Sequence, residues 1–311
     1  MHQEKILRDA LGVPPEDILS LNRMPLDGLN ETWRCVLRGW RSDTFLKIQG
    51  ARVPSNTVAE EGEVLVVLSG QSRLVPELIA RGSDAETGRP YILVRELSGC
   101  SLQSAIEHNP RLECRGIFDD LLDWFGELQG YGGLRSLLHR RTVTAIGLWH
   151  PDFSPDEGIA ELCHYGLDKR FSWLLEHATR IQKLLSIRSA RANDVIQGSL
   201  STSNILVDST RDEHSFVSGV LDYEATRIGN LMFDVATLAL HLLIESGRDA
   251  AVSWFSACAG SFGEDRTLNE GVKFLYYLCL LRAGAARGDD GIRVPTREHL
   301  RSFLRECRAW A

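Results

Sequence analysis

The sequence predicts an α+β chain, with a small antiparallel sheet and one helix over roughly the first 95 residues and a larger, mostly helical remainder. Three observations lead there. Short apolar runs alternate with turn signals between Leu19 and Gln49, apolar residues recur at helical spacing through most of the chain after Ser101, and two strand-like runs, "NILVD" and "FVSGVLDY", interrupt the helical part once. The expected division is residues 1–96 and residues 97–311, meeting at the short segment Leu97-Ser98-Gly99.

Taken in order, "TWRCVLRG" and "RSDTFLKIQG" follow the turn "DGLNE" and complete a strand-turn-strand-turn-strand succession. In "SNTVAEEGEVLVVLSG", the cap-type residues Ser55 and Asn56 precede Val58, Leu65 and Leu68 at helical spacing, and Gly70 closes the helix. Two further strands, "VPELIARG" and "RPYILVREL", bracket the polar turn "SDAETG". Strands this close in sequence pair antiparallel, because a parallel pair needs a long crossover between them. Beyond Ser101, "SLQSAIEH" and "IFDDLLDWFGELQ" read as helices, as does the stretch in which Leu167, Phe171, Leu174, Ala178, Ile181 and Leu185 keep a 3.6-type period. Helices resume at "LMFDVATLALHLL", "AAVSWFSACAG", "NEGVKFLYYLCLLRAGAA" and "REHLRSFLRECRAW".

Composition narrows the function classes. The formal charge of −7 opposes general nucleic-acid binding, which needs clustered Lys and Arg against phosphates. No apolar run reaches the roughly 18 to 20 residues of a membrane span, so a cytoplasmic protein without membrane partner is expected. Seven widely spread cysteines show no C-x-x-C spacing and are expected as reduced, mostly buried thiols. The histidines form no H-x-x-x-H pattern, and Cys163-His164 alone offers too few ligands for a structural zinc.

Several residues carry chemistry. The turn Asp27, Gly28, Leu29, Asn30 leads into a strand with Trp33; without a Cβ, Gly28 lets backbone N–H groups approach phosphate oxygens. Lys47 stands inside the apolar strand "TFLKIQ", where an ammonium is costly unless an anion meets it. The helix segment "AEEGEVLVVL" holds Glu60, Glu61 and Glu63 as candidate partners. Further on, "QGSLSTSNILVD" places Gln197, Gly198, Ser199 and Asn204 in one loop, and "VLDYEATRIGNLMFDVA" supplies Asp222 and Asp234. Asn204 and Asp222 offer hard oxygen ligands of the kind magnesium takes.

Sheet, glycine hinge and helical part, with these motifs in this order from Leu26 to Leu240, resemble the aminoglycoside phosphotransferase and choline kinase-like family. The resemblance implies a bilobal protein kinase-like fold, ATP and magnesium held between the lobes, and a small-molecule acceptor. It makes Gly28, Asn30, Lys47 and Glu61 nucleotide-binding, with Glu60 and Glu63 solvated. It also puts backbone groups from Val94 to Leu97, Glu96 among them, against the adenine edge. Asn204 and Asp222 become the metal ligands, and Asp234 a structural acceptor.

The same resemblance exposes a departure. The family signature is H-G-D, four residues, then N; here Gln197 takes the histidine position and Ser199 the position of the catalytic aspartate. Serine is neutral at pH 7 and cannot serve as that base, a loss of about 10² to 10⁴ in rate. Three readings follow: a phosphotransferase whose base is relocated or dispensed with, a nucleotide-binding pseudokinase, and a different transfer reaction with Ser199 as polar contact or nucleophile. Glu224 is the nearest carboxylate in sequence, but adjacency to Asp222 does not by itself place it near an acceptor.

Overall fold

Five strands form the N-terminal sheet in the order β1-β2-β3-β5-β4, every neighbouring pair antiparallel. They are β1 (Ile18–Arg23), β2 (Glu31–Leu37), β3 (Thr44–Ile48), β4 (Leu78–Ser83) and β5 (Pro90–Arg95). The computed structural model describes residues 2–25, 30–51, 57–110, 112–140, 159, 169–184, 193–209, 215–286 and 292–308. Gly28, the cap-type Ser55 and Asn56, Cys163-His164, Leu167 and Leu185 lie outside the described residues.

Alternation along β3 decides which side of the sheet faces the rest of the molecule. Thr44, Leu46 and Ile48 are buried while Phe45 and Lys47 are half-buried, the two-residue period of a strand packed on both faces. Leu46 and Ile48 join Cys35, Leu93 and the α1 (His2–Leu11) residues Ile6 and Leu7 in a small core. The opposite face carries Lys47 and Ile92, and it packs against α2 (Thr57–Leu68). On α2, Val58, Glu61, Leu65 and Leu68 follow one another at three- and four-residue steps and are all buried, so Glu61 lies within the apolar stripe.

The helical region begins with α3 (Leu102–His108), α4 (Arg115–Gly130), α5 (Gly132–Arg140) and α6 (Ser172–Leu184). It resumes with α7 (Met232–Glu245), α8 (Arg248–Phe262), α9 (Val272–Ala285) and α10 (Arg297–Arg308). One continuous core runs through it and reaches the sheet face at Val58, Leu65 and Ile92; Trp124, Phe125, Tyr223 and Trp254 are its largest fully buried side chains alongside Tyr276 and Tyr277. Two small antiparallel ladders interrupt the helices: β6 (Cys100–Ser101), β8 (Ile205–Ser209) and β9 (Ser215–Val220), and β7 (Asp194–Ile196) with β10 (Arg227–Gly229). The strands at "NILVD" and "FVSGV" are those expected, whereas β6, β7 and β10 are too short to show a period. They matter because β7 enters, and β8 leaves, the loop from Gln197 to Asn204.

At the segment Leu97 to Gly99 the chain is held close to the β8–β9 ladder. Gly99 has φ +101°, a Cβ there would come within 2.5 Å of Ser218 Oγ and Val207 O, and Ser218 Oγ donates to Ser98 O at 2.6 Å. Six cysteines among the described residues are free thiols, four of them buried. Among the described residues no helix is long and apolar enough to cross a membrane.

Candidate functional site

The sheet and the helical region meet around Lys47. Its Nζ lies 2.7 Å from Glu61 Oε2, 2.8 Å from Asp222 Oδ1 and 3.1 Å from Glu224 Oε2, with only 17% of the side chain exposed. Burial alone would lower the Lys47 pKa, but the three carboxylates outweigh it and hold the ammonium above the ordinary lysine value. Burial pushes Glu61 up, offset in part by Lys47 and reinforced by Asp222. One ammonium against three carboxylates leaves a formal charge of −2 at this point.

The partners arrive from two segments, Glu61 from α2 and the pair Asp222 and Glu224 from the turn after β9. Glu61 comes from the buried stripe of α2, and its second oxygen accepts from Tyr223 N at 3.1 Å, tying α2 to the chain just after Asp222. Asn30, at the mouth of the β1–β2 turn, donates from Nδ2 to Glu224 Oε2 at 2.8 Å and accepts from Gly50 N at 3.1 Å. Glu224 therefore faces the sheet.

Asp222 has φ 66° and ψ 68°, alone among the described non-glycine residues in having positive φ. Such a conformation costs on the order of 1 kcal/mol and persists only where surroundings fix it. Gln197, fully buried, does so: its Nε2 donates to Leu221 O at 2.9 Å and to Asp222 O at 2.6 Å. The Gln197 Oε1 accepts from Ser199 N at 2.7 Å, so one side chain braces both segments.

Ser199 then bridges the remaining pair. Its hydroxyl donates to Asp222 Oδ2 at 3.1 Å and accepts from Asn204 Nδ2 at 2.9 Å, and the same Nδ2 donates to Ser199 O at 2.9 Å. Beneath this loop Asp234 Oδ2 and Oδ1 accept from Gln197 N at 2.7 Å and Gly198 N at 2.9 Å. Burial pushes the Asp234 carboxyl up to about 6, against the pull of those two N–H donors and of Arg227. Gly198 sits at φ +87°, with the Ala225 carbonyl where a Cβ would go.

Lys47, Glu61, Asn30, Gln197, Ser199, Asn204 and Asp222 thus fall into one hydrogen-bonded network, with Asp234 supporting its loop. Glu96 stands apart: its carboxylate pairs with Arg34 at 3.1 Å and its N–H donates to Asp43 O at 3.0 Å, so that amide is spent within the sheet. Glu224 is the member that the sequence reading set aside. The spacing Asp222-x-Glu224 was a usable signal, since a short helical turn at Tyr223–Ala225 lets both carboxylates reach the same ammonium.

The profile describing the phosphotransferase enzyme family matches residues 21–266, most of the chain and the whole of this network. The chain belongs to that family. A search of curated proteins gives no match. Among solved structures, the GDP complex of an aminoglycoside 2'-phosphotransferase-IIIa point mutant is similar at a TM-score of 0.65 and 15% identity, covering 99% of this chain and 96% of that one. Ethanolamine kinase of Plasmodium vivax is similar at a TM-score of 0.54 and 12% identity, covering 99% and 86%. A spectinomycin phosphotransferase in complex with ADP and spectinomycin follows at 0.53 and 9%, covering 98% and 93%. At such identities the likeness is one of fold, and the fold of this family member is protein kinase-like.

The donor set suits a divalent cation and a nucleotide. Asp222 presents a hard oxygen, the −2 carried by the three carboxylates and Lys47 together is what a divalent ion neutralises, and Lys47 is placed to exchange a carboxylate for a phosphate. Asn204 spends its NH₂ group on Ser199, which leaves its oxygen for a ligand.

Proposed function

We propose that this phosphotransferase-family chain binds ATP with magnesium between a nucleotide-binding lobe, residues 1–96, and a helical lobe, residues 97–311, and transfers phosphate to a small-molecule hydroxyl without a carboxylate base. The observation that carries the reading is the joining of Lys47 and Glu61 of the sheet region to Asp222, Ser199 and Asn204 of the helical region in one network. Lys47, with Asn30 and Gly28, takes the phosphates, while Asn204 and Asp222 hold the metal. When bound, magnesium supplies charge neutralisation on the transferring phosphoryl group.

The chain's own residues then do the positioning. Glu61 keeps Lys47 extended into the site, and Gln197 holds Asp222 in its left-handed conformation. Asp234 fixes the loop that carries Ser199. Ser199, already a donor to Asp222, can hydrogen-bond an acceptor hydroxyl but takes up no proton. Phosphoryl transfer rests mainly on positioning and electrostatics, so loss of the base leaves a reaction slowed by about 10² to 10⁴ rather than abolished. Glu224 does not replace the base in this reading, because it is engaged by Lys47 and Asn30 on the sheet side.

A second reading, a non-catalytic nucleotide-binding protein, is favoured by the engagement of the Ser199 hydroxyl, whose single O–H is already donated to Asp222 while Asn204 donates to its oxygen. Thermal denaturation with ATP and magnesium tests both readings. ATP at about 100 times its dissociation constant should stabilise by about 2.7 kcal/mol, and absence of a shift refutes nucleotide binding altogether. If ATP binds, ADP release dependent on a small-molecule alcohol and lost in Asp222→Ala supports transfer; binding without any such turnover supports the non-catalytic reading.

A further inference from the structure

Helices α6 and α10 enclose an open cleft of about 590 Å³ lined by His177 and Arg180 of α6 and Arg297, Arg301 and Arg305 of α10. The three α10 arginines recur every four residues, which puts them on one stripe, and it is this stripe that faces α6 across the cleft. All four arginines are exposed, and none forms an ion pair among the described residues. The carboxylate of Glu306 on α10 is directed to Arg248 of α8 at 3.1 Å, and Glu298 is the lone carboxylate lining the cleft among the described residues.

Four guanidiniums gathered around a single lining carboxylate, Glu298, repel one another, in a chain whose overall charge is −7. Arg297 adds to the cost, because it occupies the first turn of α10, where the helix dipole disfavours a cation. An anion in the cleft offsets both terms. The planar fork of arginine matches phosphate oxygens pairwise, so several forks around one concavity suit closely spaced phosphate charges. The concavity between two helices fits a compact ligand, and the net negative charge of the rest of the chain opposes a polymeric polyanion.

We propose that the α6–α10 cleft is a binding site for a small molecule bearing phosphate groups, separate from the site around Lys47. His177 supplies an internal reporter. Burial lowers its pKa, Arg301, Arg297 and Arg180 lower it further, and Glu176 opposes them; Tyr276 stacks on the ring at 6.5 Å and Trp173 meets it edge-on at 6.1 Å. A phosphate among these arginines brings the His177 titration upward.

The test uses the full chain and inorganic pyrophosphate, in the presence of a chelator so that no divalent ion bridges the anion to the acidic site around Lys47. Calorimetric titration should detect binding to the unmodified chain, weakening by about tenfold or more in the double variant Arg297→Gln, Arg301→Gln. Glu298→Gln should tighten binding, and the imidazole resonance of His177 should titrate at higher pH with pyrophosphate present. These positions are exposed and their repulsion is relieved by neutralisation, so the double variant should melt at or slightly above the temperature of the parent. No binding to the unmodified chain overturns the proposal. Equal affinity in the double variant, with binding lost instead in Lys47→Met, assigns the anion to the other site and overturns it as well.

Discussion

Restoring a carboxylate at position 199 is the perturbation that separates a missing base from a missing site. In Ser199→Asp the new oxygens come within about 3 to 4 Å of Asp222, since the present hydroxyl lies 3.1 Å from Asp222 Oδ2. At 4 Å and an effective dielectric constant of 20, two unit charges repel by about 4 kcal/mol. Asp222 is 30% exposed and keeps Lys47 on its other oxygen at 2.8 Å, which screens the pair and leaves about 1 to 2 kcal/mol. For a chain of 311 residues that lowers the melting temperature by roughly 1.5 to 3 °C. The repulsion acts only while both carboxylates are ionised, so the deficit is present at about pH 8 and is absent in acid.

Magnesium reverses the sign of the argument, because two adjacent carboxylates beside Asn204 form a better cation site than one carboxylate and a hydroxyl. Thermal melts of the parent and Ser199→Asp at about pH 8, each with and without magnesium, therefore carry the decision. The expected result is a deficit without magnesium that closes with it, accompanied by a gain of about 10² or more in ATP-dependent turnover toward small alcohols. A variant that melts like its parent in both conditions refutes the electrostatic reasoning. Recovery by magnesium without any turnover refutes the claim that the base alone is missing.

Two further substitutions test the scaffold beneath the loop. Asp234→Asn presents NH₂ to one of the two N–H groups of Gln197 and Gly198 and should cost about 1 to 3 kcal/mol in chemical denaturation. Because burial raises Asp234 from 3.8 to about 6, the folded state holds that proton more tightly than the unfolded chain; parent stability should fall by about 3 kcal/mol as pH rises across this window, and the Asn variant should lack that slope. Gly198→Ala forces a side chain into positive φ and against the Ala225 carbonyl, so it should destabilise by about 2 kcal/mol or more and lose nucleotide-dependent stabilisation at the same time.

Lys47 and Glu61 were legible because each breaks a local pattern. A lysine at the half-buried positions of "TFLKIQ" sits opposite the face built by Leu46 and Ile48, and a glutamate on the Val58, Leu65, Leu68 stripe has nowhere to go but inward. Asn204, Asp222 and Asp234 were legible by spacing within two short segments. What the sequence did not carry is long-range. The contact of Asn30 with Glu224 joins residues 194 positions apart, and no periodicity encodes it. Glu96 shows the same limit, since nothing in the run "YILVREL" signals that its carboxylate pairs with Arg34 and its N–H donates to Asp43 O. The short strands β6, β7 and β10 escape for a simpler reason: two or three residues cannot display a period of two.

The two departures from the family signature, Gln197 and Ser199, act on the same residue. Gln197 holds the backbone of Asp222 through its carbonyl and receives the N–H of Ser199, while Ser199 donates to the carboxylate of Asp222. A serine alone, beside a ring at position 197, would lack the amide oxygen that its own N–H now uses; a glutamine beside an aspartate at 199 would hold two carboxylates together at the price of their repulsion. The pair is mutually consistent as a neutral loop that keeps Asp222 and Asn204 in place. That consistency separates the two halves of the proposed function: the groups that would hold nucleotide and metal are preserved by the same hydrogen bonds that leave no proton acceptor at Ser199. Nucleotide binding should therefore survive conditions and variants that abolish transfer, and Gln197→His combined with Ser199→Asp should restore turnover more fully than Ser199→Asp alone.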